Sequence, residues 1–259
     1  MPPLFVIIPR DTVVQSGLNQ LGVDMENSST VELAKARLND WLSQGAIAPG
    51  DKLPSERELG ELLNIKRMTL RQALLFLESE SRIFRKDRRG WFAALPRFNY
   101  NPNSSTSFKQ AAIEQGRCPS WGYMTKECVL AAPEFIKELL QVDAGNEIYK
   151  ISGWGALDNH IVFYHETFIS PRVAPGFIER LGENSFAEVW EQAYDTATRT
   201  RHLAFKPTRL SGEACKMMGG NASTPAILVE KHRADAERRI VQVDIEHWRF
   251  ESVDFFINL

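Results

Sequence analysis

The apolar positions in the first third of the chain recur at helical spacing in three segments. In the first segment, which begins near Thr30, the residues Val31, Leu38 and Leu42 lie close to one helical stripe. Gly45 follows as a helix stop signal. The pattern therefore predicts a first helix between these residues.

The second and third segments follow a short polar break. Ser55 and Glu58 have the spacing of a capping box, which predicts the start of a second, short helix. Its predicted buried residues are Leu59, Leu62 and Leu63. From residue 66 to residue 80 the apolar residues follow the i, i+3, i+4, i+7 pattern, which predicts a third helix. These residues are Leu70, Ala73, Leu74 and Leu77.

Residues 82–95, RIFRKDRRGWFAAL, contain two β-prone pieces around a charged turn that ends in Gly90, and they predict a hairpin. Three helices and a hairpin complete a first domain over residues 30–94. Residues 95–107 are rich in Pro, Asn and Ser, which predicts a linker. Residues 1–29 have no sustained periodicity and are expected to be a loosely ordered extension.

A different pattern, with helices and strands interleaved, covers residues 108–259 and predicts a second domain. Predicted helices lie at residues 107–115, 133–140, 185–194 and 211–218, and predicted strands at residues 123–130, 148–157, 161–169, 198–205, 226–234 and 240–250. Asp158 with Asn159, and residues 235–238, stand where hairpin turns belong. Because strands joined by tight turns pair antiparallel, the predicted fold class is α+β.

Composition narrows the class of protein. The chain has 259 residues, of which 43% are hydrophobic and 25% charged, which is typical of a soluble globular protein with two domains. Its apolar runs fall short of the roughly 20 residues of a membrane span, so a cytoplasmic location without membrane contact is expected. Cys118, Cys128 and Cys215 lack CxxC spacing and are expected to be reduced thiols without a metal.

The net charge of −2 conceals a locally basic stretch between residues 66 and 89. A helix, a sharp turn and a second helix that begins with polar or cationic residues is the geometry that places a recognition helix in the major groove of DNA. Arg67 and Arg71, one turn apart, are candidates for contacts with guanine or phosphate, and Thr69 for either. Further candidates are Arg57 for the DNA backbone and Arg88, Arg89 and Gly90 at the hairpin tip for a neighbouring groove. The alternative is a set of solvated charges on an ordinary helical pair.

Residues 49–92, PGDKLPSERELGELLNIKRMTLRQALLFLESESRIFRKDRRGWF, resemble the winged helix-turn-helix of the GntR transcription regulators over nearly the full length of that domain. The resemblance implies DNA contacts at Arg57, Lys66, Arg67, Met68, Thr69, Arg71 and Gly90. Lys66 and Met68 stand where Ser or Thr is usual in the family, and Met68 cannot donate a hydrogen bond to a base.

The second domain resembles the effector-binding UTRA domain of the HutC subgroup. The stretches GNEIYKISGWGALDNHIVFYHETFISPR and TPAILVEKHRADAERRIVQVDIEHWRF carry that similarity. DRRGWF and DIEHWR are similar to regulators of phosphonate utilisation. The resemblance implies an antiparallel-sheet fold shared with chorismate lyase, although a shared fold does not imply shared catalysis.

The resemblance also bears on the effector pocket. Relatives that bind phosphosugars have two arginines at the positions of Gly153 and Gly155, so an anionic ligand would be held elsewhere in this chain. The hydroxyl groups of Ser105, Thr106 and Ser107 beside a predicted helix start are one candidate, with a simple helix cap and linker as the alternative. Arg201 and His202 are further candidates.

His165 and Glu166 interrupt an apolar strand, and alternation sends them to opposite faces, so that only one can face the pocket. A glutamate near this position contacts the effector in the family, and Glu166 is therefore favoured, with His165 as the alternative. Asp244 or Glu246, together with Trp248, fall on the strand that lines the ligand in the family. Trp248 alternatively belongs to the core.

These observations favour an effector-responsive transcription regulator, expected to be a repressor that binds double-stranded operator DNA as a homodimer. It is expected to be released by a small ligand, with anionic compounds such as phosphonates and phosphosugars as candidates. One alternative is an enzyme that uses His165 or Glu166 as a general base on a small acid. The sequence shows no nucleophile with an oriented partner, no metal set and no phosphate loop, so neither catalysis nor a cofactor is expected. A second alternative, suggested by Lys66 and Met68, is an adaptor that no longer binds DNA.

Overall fold

The computed structural model describes residues 30–45, 47–104, 106–182 and 184–257, and the extension predicted over residues 1–29 lies outside these ranges. The N-terminal domain contains helices α1 (30–43), α2 (Glu56–Leu63) and α3 (Arg67–Ser79), followed by strands β1 (Ile83–Lys86) and β2 (Gly90–Ala93). The three helices and the hairpin are thus confirmed.

Helices α2 and α3 form the predicted helix-turn-helix. Ser55 and Glu58 make both hydrogen bonds of the capping box, and α2 ends at Asn64 in the left-handed conformation. The core contains Leu38, Leu59, Leu70, Ala73, Leu74 and Leu77, all of them fully buried. Leu62 was wrongly predicted to be buried and is 60% exposed. It lies about 60° from Leu59 around the helix, on the side away from half-buried Leu63.

The β1–β2 hairpin is an antiparallel wing that is tied to the helices. The amide of Leu53 donates to the carbonyl of Trp91 at 2.9 Å, so the segment before α2 adds to the edge of the wing. The indole Nε1 of Trp91 donates to Glu56 Oε1 on α2 at 3.2 Å. The wing therefore has a fixed position relative to α2.

The C-terminal domain is built on a six-stranded sheet with the order β4-β5-β6-β9-β8-β7, in which every neighbouring pair is antiparallel. Its strands are β4 (Pro119–Val129), β5 (Ile148–Leu157), β6 (His160–Ile169), β7 (Arg199–Arg209), β8 (Pro225–Ala234) and β9 (Ile240–Arg249). Its helices are α4 (Phe108–Glu114), α5 (Glu134–Leu139), α6 (Phe177–Leu181), α7 (Phe186–Tyr194) and α8 (Gly212–Met218). The α+β prediction is confirmed.

Helices cover both faces of this sheet because the strands are apolar on both. Ile151 and Ile169 pack with α6 and α7 on one face, whereas Ile148 and Phe168 pack with α5 on the other. Helix α4 lies on the first face and α8 on the second. Alternation along each strand therefore decides which cluster a side chain joins.

The segment predicted as a linker, residues 95–107, contains a strand, β3 (Phe98–Tyr100). It pairs in parallel with β10 (Val253–Phe255) near the end of the chain. Phe98 is fully buried, and its ring centroid lies 6.5 Å from that of Trp248. The linker prediction did not include this strand, in which two aromatic side chains on one face complete the core of the second domain.

Candidate nucleic-acid interface and ligand pocket

The amino end of α3 presents cationic side chains to solvent. Lys66 is the N-cap residue in extended conformation, and its side chain makes no cap hydrogen bond. Leu70 and Ala73 bury the opposite side of the helix, so Arg67 and Arg71 are exposed. The two arginines have no acidic partner at ion-pair distance among residues 30–45, 47–104, 106–182 and 184–257. Since the first turn contains no acidic residue, this end of α3 is strongly positive.

The other predicted DNA-contacting residues of the helices lie nearby. Met68 is 68% exposed, and Thr69 is half-buried beside it. Arg57 on α2 makes an exposed ion pair with Glu61, with 3.0 Å between Nη1 and Oε1. An exposed pair of this kind contributes little to stability and is readily exchanged for another anion.

The turn of the wing projects its arginines away from the protein. The side chain of Arg88 is 92% exposed. Gly90 has a φ of +97°, a backbone conformation that residues with a side chain rarely adopt.

A cleft of about 1190 Å³ lies between the wing, α2 and the start of α3. Five of the predicted DNA-contacting residues line it, namely Arg57, Arg67, Arg88, Arg89 and Gly90.

Lys52 and Arg85 also line this cleft and were missed by the sequence analysis. Lys52 lies in the segment that pairs with β2, and Arg85 lies on β1. Neither position is among the DNA contacts that the resemblance to the GntR regulators implies. Only the folding of the wing onto α2 brings them beside Arg67.

A second cavity, of about 200 Å³, lies in the C-terminal domain between the sheet, α4 and α7. It is lined by five of the residues that the sequence analysis offered as ligand-binding candidates or alternatives, namely Thr106, Ser107, His165, Asp244 and Trp248. Ser105 lies outside the described residues. The hydroxyl of Ser107 accepts a hydrogen bond from the amide of Gln110 at 3.2 Å, so it caps α4, which was the alternative interpretation.

Glu166 does not face this cavity, and its favoured assignment to the pocket was wrong. Its carboxylate lies on the other face of the sheet, where Oε1 is 2.6 Å from Nζ of Lys150. His165, the alternative, lines the cavity and is buried. Alternation along β6 shows only that His165 and Glu166 point to opposite faces of the sheet. The register of β6 against its neighbours decides which of the two faces the cavity. Glu166 is therefore also excluded as a general base in this cavity.

Arg201 is exposed on the edge strand β7 and does not line the cavity, so this prediction was wrong as well. The β7–β8 register shifts between Thr200 and His202, which changes the direction of the residue inside the bulge. Arg233, on the neighbouring strand β8, is the arginine that lines the cavity.

Two aromatic rings occupy the space above Gly153 and Gly155. A Cβ atom added to Gly155 would overlap the ring of Phe163, its cross-strand partner. A Cβ atom on Gly153 would lie 2.6 Å from Nε2 of His165, again the cross-strand partner. Phe163 and His165, the side chains that lie over these glycines, thus form an aromatic part of the cavity wall.

A hydrogen-bond chain fixes the tautomer of His165. The hydroxyl of Thr167 donates its one proton to Asp244 Oδ1 at 2.8 Å, and Gln242 Nε2 donates to the same oxygen at 2.7 Å. Thr167 Oγ1 must therefore accept a hydrogen bond from the protonated Nδ1 of His165, 3.1 Å away. Burial lowers the pKa of His165, so the ring is neutral and its Nε2 is an acceptor.

The charged groups of the pocket differ in how completely they are paired. Lys231 Nζ lies 2.7 Å from Glu246 Oε1, and Trp248 Nε1 donates to Glu246 Oε2 at 2.8 Å. Burial would raise the pKa of Glu246, but Lys231 and these hydrogen bonds hold it below its usual range. The pair is thus an internal, neutralised unit.

Arg233 and Lys109 have unused capacity to bind an anion. Nε of Arg233 is buried, has no hydrogen-bond partner among the residues that the structure describes, and lies 3.7 Å from Asp244 Oδ2. Nζ of Lys109 lies 5.3 Å from the centre of the Trp121 ring and forms no ion pair within the described part of the chain. Sequence analysis missed Lys231 and Arg233, although their i, i+2 spacing on a strand places both on one face.

Comparison with known proteins agrees with this geometry. Residues 30–93 match the sequence profile described as "Bacterial regulatory proteins, gntR family", and residues 114–254 match the UTRA domain. Over 234 residues the chain is 61% identical to the HTH-type transcriptional regulator YihL of Escherichia coli K12, covering 90% of this chain and 99% of that one. It is 25% identical over 163 residues to the "Probable fructoselysine utilization operon transcriptional repressor" of the same bacterium, covering 62% and 66%.

A solved structure has the same fold. PhnF from Mycobacterium smegmatis superimposes with a TM-score of 0.59 at 22% sequence identity, covering 87% of this chain and 98% of that one. No helix in the described ranges is both long enough and apolar enough to cross a bilayer. With a winged helix-turn-helix that exposes its cationic end and a UTRA domain that encloses a cavity, this chain belongs to the GntR family of bacterial transcription regulators.

Proposed function

We propose that the protein is a homodimeric repressor of the HutC type, which binds operator DNA and is released by a small hydroxylated anion. The observation that carries the DNA-binding part is the exposure of Arg67 and Arg71 at the positive end of α3, where neither has an acidic partner among the described residues. In this proposal α3 enters the major groove, and Arg88 and Arg89 of the wing approach the neighbouring minor groove.

A dimer is expected if the operator DNA is palindromic. Two recognition helices presented about one turn of DNA apart read a palindromic operator, whereas a single α3 makes few base contacts. Met68 offers only apolar contact, to a thymine methyl group, so the arginines supply the hydrogen bonds to bases. A dimer bound over a promoter blocks polymerase without any further contact, which favours repression.

The pocket supports a ligand with both an anionic group and hydroxyl groups. Lys231 is already paired with Glu246. Arg233 has only a loose contact with Asp244, 3.7 Å away, and Lys109 also lines the cavity, so these two cations can meet an anion. Asp244 and Nε2 of His165 are acceptors suited to ligand hydroxyl groups. Phosphosugars combine these features, and hydroxylated phosphonates are the second ligand class to test.

Release requires the ligand to bind the DNA-competent and DNA-incompetent states of the dimer unequally.

A direct test of DNA binding measures the fluorescence anisotropy of a labelled duplex from the protein's own promoter region. Nanomolar to micromolar binding that weakens steeply with salt is expected, because phosphate contacts release counterions. Equal, weak binding to any duplex would contradict the assignment of a specific operator.

The ligand is identified separately, by thermal shift with phosphosugars, phosphonates and imidazole acids. A ligand that binds only the folded state raises the melting temperature. The same compound is then added to the DNA complex, where a fall in anisotropy is expected. A compound that stabilises the protein and strengthens DNA binding would show that the ligand acts as a corepressor instead.

A further inference from the structure

A second cluster of polar side chains lies on the face of β8 opposite the pocket. Glu230 and His232 alternate along this strand with Lys231 and Arg233, so they project to the other side of the sheet. His202 on β7 is the direct cross-strand neighbour of His232. The antiparallel pairing of β7 with β8 thus gathers two imidazoles and a carboxylate that lie far apart in the sequence.

The three side chains are close enough to share one ion. Their potential ligand atoms all lie within 4.8 Å of one another. Nε2 of His232 is 2.9 Å from Oε1 of Glu230, and the rings of His202 and His232 stack with centroids 4.4 Å apart. A tetrahedral zinc ion with bonds of about 2.0–2.2 Å requires ligand atoms roughly 3.3 Å apart. His202 is exposed and Glu230 is half-buried, so neither side chain is held in place by complete burial.

A neighbouring side chain already orients the carboxylate. Nζ of Lys206 donates to Oε2 of Glu230 at 3.0 Å, so that Oε1 is turned toward His232. Outer contacts of this kind fix the direction of metal ligands in proteins. The Lys206 side chain is 58% exposed and can move away from an incoming cation.

We propose that His202, Glu230 and His232 form a binding site for a transition-metal ion such as Zn²⁺, with a fourth position open to water. Two imidazoles and one carboxylate are a ligand set that zinc, nickel and cobalt accept, whereas magnesium and calcium prefer oxygen alone. The ion would join β7 to β8 directly behind Lys231 and Arg233. Metal occupancy would thereby stiffen the strand that lines the effector pocket.

The test uses the full chain without an affinity tag and titrates it with Co²⁺, followed by competition with Zn²⁺ against a chromophoric chelator. One ion per chain is expected, with cobalt absorption bands of nitrogen and oxygen ligation. His202→Ala and Glu230→Gln should each weaken Zn²⁺ binding more than about tenfold. Mutating a residue that only hydrogen-bonds to a metal ligand already causes a loss of about this size. His202 is exposed, so its variant is expected to keep the fold, and circular dichroism checks this.

Two controls keep the result unambiguous. His247→Gln changes a histidine of β9 outside the cluster and should leave metal affinity unchanged. Cys128→Ser tests an exposed thiol that could bind zinc by itself. A thiolate-to-cobalt absorption band that Cys128→Ser abolishes, equal affinity in His202→Ala, or no binding at millimolar metal would each overturn the proposal.

Discussion

Nζ of Lys86 lies 3.3 Å from Nδ1 of His160, joining the wing of the DNA-binding domain to the β5–β6 hairpin of the effector domain. The ammonium group can only donate, so Nδ1 of His160 is an unprotonated acceptor. The amide of Asp87 donates to the carbonyl of Gly219 at 2.9 Å in the same interface. These contacts link the domain that meets DNA to the domain that encloses the pocket.

This contact should weaken in acid. Burial, and then the charges of Lys86 and Arg249, lower the pKa of His160 below its usual 6.5, while Asp158 opposes and Arg117 adds to the shift. A depressed histidine pKa means that the folded state binds its proton less readily, so stability present above pH 6.5 is lost as pH falls through the folded pKa.

His160→Gln keeps an acceptor for Lys86 but does not titrate. The difference in unfolding free energy between this variant and the wild type, from urea denaturation at several pH values, should shift in favour of the variant between about pH 7 and pH 5. The comparison cancels the titration of the groups that do not interact with His160. A difference that stays constant over this range would contradict the assigned role of His160.

Arg67→Ala and Arg71→Ala should each weaken operator binding by about 1–3 kcal/mol, because each removes hydrogen bonds to a base or a phosphate. Anisotropy titrations at fixed salt measure the loss. Arg239→Ala, on the exposed β8–β9 turn, is the matched control and should bind as the wild type does. Unchanged affinity in both α3 variants would remove the proposed docking of this helix.

Gly155→Ala should destabilise the effector domain by about 1–3 kcal/mol, because the new methyl group overlaps the ring of Phe163. Combining it with Phe163→Leu should recover part of that loss, since leucine leaves space above β5. Chemical denaturation of the two single variants and the double variant measures the coupling. Additive losses would show that the ring and the glycine do not compete for the same space.

Lys231→Met should cost about 3–5 kcal/mol, because it leaves the buried carboxylate of Glu246 without its cation. Adding Glu246→Gln removes the unpaired charge and should restore much of the stability. Urea denaturation of both variants at neutral pH gives the comparison. If the double variant were no more stable than Lys231→Met, the two groups would not form the neutral unit described above.

Arg233→Gln should lower effector affinity more than about tenfold, as expected when a hydrogen bond to a charged group is lost inside a pocket. Glu166→Gln should leave that affinity unchanged, because Glu166 pairs with Lys150 on the opposite face. Isothermal titration with the compound found by thermal shift measures both. The reverse pattern would place the ligand on the far side of the sheet.

Much of the fold could be predicted from sequence patterns that extend over only a few residues. The capping box of Ser55 and Glu58 places the start of α2 without reference to any distant residue. Asp158 and Asn159 both have positive φ in the structure, which is the conformation that a tight hairpin turn needs. The prediction failed at β3, whose two aromatic residues are separated by one exposed asparagine in a segment otherwise typical of a linker.

By itself, the sequence determined the order and type of most elements, with α6, β3 and β10 as exceptions, and the cationic end of α3, because periodicity, caps and turns act over a few residues. Only the tertiary structure decided that His165 rather than Glu166 faces the pocket, and that Arg233 rather than Arg201 lines it. It alone brought His202 beside His232. The physical reason is that strand register and bulges are set by pairing between distant segments, and a shift of one residue reverses the face of every side chain.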